Sequence, residues 1–373
     1  MKLQRLIVIA LVLAGCGDNL APLNDAHGHP GDGGGDGGAT GSTATVVSGD
    51  FNPGDPGTMA TLNATSFALA TNAAPAGAVD DDPVLRRVAG ELFIVNRSDG
   101  DNVTVLDATT HALVEQDSTG TGSNPQDVAV HGNKLYVPIY GGKGVAVITR
   151  GSSDKPAIID LSANDPDGNP NCDSAFTVGD DVYVACEDLD ATFTPRGNGK
   201  IYVIDTATDT VSKTVTMMNV NPFGVFQQLP TGELAIPTTD FAGGGCVEKI
   251  STGPSAASGG CIVTNSALGS FANRVDFQTI DGSSIMWIAV NVSFGVGNVQ
   301  RFDLTANMLG ATPITRSDED PIDLAVCSDG SLVISDGEQG ASGLRVYNDG
   351  HEVTGDAIPI GLDTGNANAL LCD

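Results

Sequence analysis

The residues of this chain that could do chemistry are mostly acids. The densest run is Asp165-Pro166-Asp167-Gly168-Asn169-Pro170-Asn171-Cys172-Asp173. Carboxylates at alternate positions ahead of a glycine turn suit a hard cation with oxygen ligands, so Asp165, Asp167 and Asp173 are candidate ligands for Ca²⁺. The spacing departs from the twelve-residue helix-flanked calcium loop. Ala163 stands where its first ligand would, and no glutamate fills its last position. A polar turn whose side chains accept from their own backbone amides is the competing reading.

Enzyme signatures are thin. Of the five histidines, His27 and His29 fall in a glycine-rich segment, while His111, His131 and His351 fall near turns. No GxSxG, HExxH or phosphate-cradling loop is present, so no catalytic residue is singled out. Trp287 is the single tryptophan and is expected to pack between structural units. A quinone cofactor, which stacks on tryptophan, is therefore not expected.

These side chains must be positioned by a repeat. "GNKLYV" (132–137) returns as "GELFIV" (90–95), "GDDVYV" (179–184), "GELAIP" (232–237), "GSSIMWIAV" (from 282) and "GSLVIS" (330–335). Each is a glycine turn feeding an apolar strand. A second strand follows each one, as in "NVTVLD" (102–107) and "KIYVID" (200–205). Another strand precedes each, beginning at Pro83, Pro125, Cys172, Pro222, Ala272 or Pro321. Those starts recur every 42 to 50 residues. Proline is tolerated there because a strand's first residue needs no amide partner. With a fourth, β-rich stretch, each unit reads as four antiparallel strands, A to D. Four-stranded units of this length stack radially into a β-propeller.

The ends complete the count. "TATVVSG" (43–49), "GTMATLN" (57–63) and "SFALATN" (66–72) read as strands B, C and D, and "GNANALLCD" (365–373) as strand A. Together they predict a seventh blade that removes the free sheet edges. A six-bladed ring with a separate hairpin is the alternative. The fold class is thus all-β, a propeller over residues 43–373.

Six cysteines follow Cys16 and allow many pairings. The strand map places Cys246 and Cys261 on either side of one C–D turn. It puts Cys172 and Cys186 on paired strands A and B, and Cys327 and Cys372 at the same strand-A position of neighbouring blades.

Residues 1–15 read as a signal peptide. Lys2 and Arg5 precede an apolar run, Leu6 to Leu13, that is too short to span a bilayer. Leu13-Ala14-Gly15-Cys16 resembles the lipobox of bacterial lipoproteins, which implies lipidation of Cys16 and anchoring to a membrane. Residues 16–42, with "GDGGGDGG", read as a flexible tether. The net charge of −29 disfavours nucleic acid, which needs a basic footprint.

The phrases "KLYV", "DVYV" and "KIYVID" resemble those of YVTN-type bacterial secreted β-propellers. Residues 159–190 also resemble uncharacterised bacterial lipoproteins of this pattern. The resemblance implies a cell-envelope location and a fold shared by binding proteins, lactonases and dehydrogenases. In such rings, ligands sit on the face bearing the D–A and B–C loops. Asp82, Asn124, Asp127, Asp173, Asn221, Asn273, Asp320 and Asp323 fall there as candidate channel-mouth residues. The leading expectation is a monomeric, lipid-anchored binding or scaffold module for an envelope protein, glycan or peptide. The alternative is a Ca²⁺-dependent lactonase or esterase built on Asp127, Asn221, Asn273 and Asp323.

Overall fold

The computed structural model describes residues 41–165, 167–293, 295–361 and 368–373. The expected signal peptide, Cys16 and nearly all of the tether lie outside the described residues.

Seven four-stranded antiparallel sheets form a closed ring. Blade 1 runs Pro83–Val88, Glu91–Asn96, Asn102–Asp107 and Leu113–Ser118. Blade 2 follows with Ala129–His131, Lys134–Ile139, Gly144–Thr149 and Ala157–Asp160. Blade 3 comprises Cys172–Val178, Asp181–Cys186, Lys200–Asp205 and Thr210–Thr216. Blade 4 comprises Gln227–Gln228, Leu234–Pro237, Cys246–Ile250 and Ser258–Thr264. Blade 5 takes Phe271–Ile280, Ser283–Ser293, Val296–Asp303 and Met308–Leu309. Blade 6 takes Pro321–Val326, Leu332–Asp336, Gly343–Asn348 and His351–Glu352. Among the described residues, helix is confined to one turn at Asn265–Leu268 and a 3₁₀ turn at Ser162–Asn164.

Burial follows strand position. The B strands are apolar almost throughout because both faces pack on neighbouring blades: Leu92 to Asn96 and Val182 to Cys186 are all buried. The outer strands Leu113–Ser118 and Thr210–Thr216 are exposed along most of their length. The core therefore lies between blades. Trp287 of blade 5 packs with Leu324, Ile334 and Tyr347 of blade 6, as expected, and its indole donates to Gln278 Oε1 at 2.8 Å.

The seventh blade is shared between distant parts of the chain. Strand A is Asn368–Cys372, and strands B to D are Thr43–Ser48, Thr58–Asn63 and Leu69–Ala70. The pairing is antiparallel, with Ala44 opposite Cys372 and Ser48 opposite Asn368. The Cys327–Cys372 disulfide ties this strand to blade 6 and closes a separation of 45 residues. In the loop-entropy model it is worth about 4 kcal/mol. The pairings Cys172–Cys186 and Cys246–Cys261 also form as the strand map expects.

Side chains on or just before the A strands lock adjacent blades together. Asp127 Oδ2 accepts from Ala175 N at 2.8 Å. Ser174 Oγ accepts from Phe226 N at 3.0 Å, Asp276 Oδ2 from Val326 N at 2.7 Å and Asp323 Oδ2 from Leu370 N at 2.9 Å. Each bond crosses to the strand A region of the next blade.

Candidate functional site

The face bearing the D–A and B–C loops carries a cavity of about 190 Å³ spanning blades 1 to 4. The chain reaches it by a repeated device. Asn124, Asn171 and Asn221 each stand just before strand A with φ of 45°, 50° and 46°. Asparagine tolerates this left-handed conformation better than other side chains of its size. The turn is then held by backbone bonds, such as Thr239 N to Asn221 O at 3.1 Å.

The cavity's polar floor comes from four blades. Asp173 and Glu187 of blade 3 are both buried. Glu187 Oε2 accepts from Tyr140 Oη at 3.0 Å, and Asp173 Oδ2 accepts from Gly224 N at 3.3 Å. Gly224 has φ 126°, and a Cβ there would sit 2.9 Å from Asn273 O, so only glycine lets the two backbones come this close. Arg97, also on the floor, is held by Asp82, with Nε 3.0 Å from Oδ1, and by Gln126 Oε1 at 3.2 Å. Asn124 Oδ1 is engaged by Ser98 N and the Gln126 amide. Asn221 differs from its neighbours. It is fully buried and lines the cavity, yet neither its Oδ1 nor its Nδ2 has a hydrogen-bond partner.

An apolar wall faces this floor. Phe223 and Phe241 line the cavity with ring centroids 5.2 Å apart, edge to face. Phe271 buttresses Phe241 at 5.6 Å. Phe193 and Phe241 hold φ of 59° and 56°, a region costly for bulky side chains that Phe51 and Phe67 also occupy away from the cavity.

Of the channel-mouth candidates, Asn124, Asp173 and Asn221 line the cavity, and Asp82 supports it through Arg97. The others have different jobs. Asp127 is fully buried; Arg86 Nε and Nη2 bind its two oxygens at 2.5 and 2.6 Å, and they also accept from Val128 N, Ala175 N and Ser174 Oγ. Asp323 is fully buried 2.8 Å from Arg274 Nε and accepts from Leu324 N and Leu370 N. Asn273 Nδ2 donates to Ile322 O at 3.1 Å. Asp320 sits beside Asp336 on blade 6, where burial raises it to about 6. The carboxylates that a lactonase-like calcium site would need are thus held by guanidinium and amide groups.

The Asp165–Asp173 run is also used internally. Asp165 Oδ1 accepts from Asp167 N and Gly168 N, and Asp167 Oδ1 accepts from Asn169 N, while Asp173 turns into the cavity. Among the described residues no three His, Cys, Asp or Glu side chains gather as a metal site.

A larger hollow of about 750 Å³ lies on blade 6. Its central cation, Arg345, is committed to Asp336, Glu338 and Glu352.

Sequence reasoning passed over Arg97, Tyr140 and the phenylalanines as site residues. "NPF" at 221–223 carried the signal, because a large apolar residue at the start of strand A faces the channel mouth.

The comparisons agree with this architecture. No family model matches the chain, and no curated protein does. Among solved structures, a candidate 6-phosphogluconolactonase of Bacteroides fragilis superposes with a TM-score of 0.64 at 13% identity, over 91% of this chain and 100% of that one. Its counterpart from Bacteroides uniformis gives 0.60 at 12%, over 89% and 99%. The dihydro-haem d1 dehydrogenase NirN gives 0.53 at 15%, over 92% and 77%. The likeness is one of fold.

Charge burial makes stability pH-dependent. Burial raises Asp173 and Asp276 to about 7, and burial together with the neighbouring Asp173 charge pushes Glu187 well above the usual range. In an unfolded chain such groups titrate near 4. The folded state therefore binds more protons between those values. The stability from these groups is full below about pH 4 and is lost as pH rises through 7. Urea unfolding should show the protein more stable at pH 5.5 than at pH 8, by about 2 kcal/mol per group. Asp276→Asn should reduce that difference.

Proposed function

We propose that this chain is a non-enzymatic binding propeller of the bacterial envelope, anchored through Cys16, that engages its ligand at the cavity on the D–A and B–C face. The ligand is a group small enough for about 190 Å³, free or presented by an envelope protein, glycan or peptide. One observation carries the reading: the Asn221 side chain is fully buried with both polar atoms unpartnered. Leaving such a group unsatisfied costs about 1–3 kcal/mol, a cost a ligand would recover. The lipobox-like Leu13–Cys16 and the YVTN-type strand phrases support the envelope location.

Two experiments test this. Cys16→Ser should abolish incorporation of labelled palmitate and move the protein from the membrane to the soluble fraction; unchanged labelling contradicts the anchor. A photo-crosslinking phenylalanine analogue at position 241 should capture a ligand in envelope preparations, and adding Asn221→Leu should reduce capture about tenfold. Equal capture from position 131, on the opposite face, contradicts the site.

A further inference from the structure

The electrical balance of the cavity narrows the ligand class, an inference that rests on the reading of the cavity as a binding site. Its lining contains one cation, Arg97, and that guanidinium is already bound by Asp82 and Gln126. Of the two acids on the floor, Asp173 has Arg97 and Arg274 near enough to act on it electrostatically, while the charge facing Glu187 is that of Asp173. Their direct partners are one amide N–H, from Gly224, and one phenol, from Tyr140. Asn221 adds an unpartnered carbonyl oxygen and an unpartnered amide nitrogen, both fully buried. Phe223 and Phe241 present ring surface opposite, and aromatic faces attract cations.

We infer that the cavity receives a primary ammonium group, seated between Asp173, Glu187 and Asn221 Oδ1, with the apolar stem of the same ligand against Phe223 and Phe241. An ammonium donates three hydrogen bonds and accepts none, which matches the acceptor oxygens of Asp173, Glu187 and Asn221. Asn221 Nδ2 then faces an acceptor on the ligand next to the ammonium, such as a hydroxyl or carbonyl. A carboxylate or phosphate would meet two acids instead.

Ligand binding is coupled to proton release. The groups acting on Asp173 are Arg97 and Arg274, which favour its ionised form, and burial and the Asp127 charge, which oppose it. Glu187 faces Asp173 and Tyr140. Burial dominates for both acids, so at mildly acidic pH the empty cavity holds protons that an ammonium must displace.

The test is calorimetry on the full chain with 2-phenylethylammonium, its uncharged analogue 2-phenylethanol and the anion 3-phenylpropionate, between pH 5.5 and 8. The ammonium should bind, release protons in buffers of different ionisation heat, and gain about tenfold in affinity per pH unit below 7 for each proton released. Glu187→Gln should weaken it and flatten the pH dependence, while Phe241→Leu should weaken it and leave the slope in place. Binding of the alcohol or the anion as tight as the ammonium, and sensitive to Asn221→Leu, overturns the ammonium assignment and leaves the cavity as a site. Failure of all three probes to bind at millimolar concentration overturns both. If Glu187→Gln fails to fold, Asp173→Asn with the same pH series takes its place.

Discussion

Removing residues 368–373 is expected to abolish the folded monomer. The segment supplies strand A of the closing blade, and its loss exposes the inner edge of Thr43–Ser48 along five paired positions. An unpaired apolar edge is a template for aggregation. The same deletion removes Cys372 from its bond to Cys327, the amide that Asp323 Oδ2 receives from Leu370, and the contact of Ser328 N with Asp373 O. Size-exclusion chromatography should show aggregate, and circular dichroism no cooperative melting. The milder pair Cys327→Ala with Cys372→Ala keeps the strand and should cost about 4 kcal/mol. A truncated chain that stays monomeric with an unchanged melting temperature would mean that the ring does not depend on this blade.

The second large effect concerns Arg86. Its guanidinium and the Asp127 carboxylate are both fully buried and bound through two nitrogens. Arg86→Ala strands an uncompensated carboxylate in the interior, and the expected loss is about 3–5 kcal/mol. Asp127→Ala strands the guanidinium along with the amides of Val128 and Ala175, with a loss of similar size. Asp127 variants therefore report on stability and cannot serve as a clean probe of activity. Chemical denaturation of both variants checks the values; a change below about 1 kcal/mol would place the pair in a solvated environment.

The ring was legible because its signals are local and periodic. A glycine turn followed by a fully apolar strand is easily seen, and its recurrence fixes blade size. Closure was legible because residues 43–72 and 368–372 together supply the four strands of one blade. The cysteine pairs then followed from strand positions. The site was legible only in part. Asn124 and Asn221 occupy the same place in the repeat, one residue before its proline, and look alike in the sequence. Their fates separate through a partner far away in sequence: Ser98 N, 26 residues off, donates to Asn124 Oδ1, whereas among the described residues nothing binds the Asn221 side chain. The left-handed backbones of Phe193 and Phe241, which turn those rings toward the mouth, leave no trace in composition. The acid-rich run at 165–173 drew attention for its carboxylates, and most of these are used by its own turn.

The central claim is that the mouth cavity, floored by Asp173, Glu187 and Asn221, is a ligand site. A crystal structure of the full chain with 2-phenylethylammonium tests it most directly. The account predicts density in the cavity, with the ammonium nitrogen about 3 Å from Asn221 Oδ1 and a Glu187 oxygen and the ring against Phe223 and Phe241. An empty cavity at saturating amine, or density with the nitrogen turned out to solvent and Asn221 still unpartnered, would contradict it.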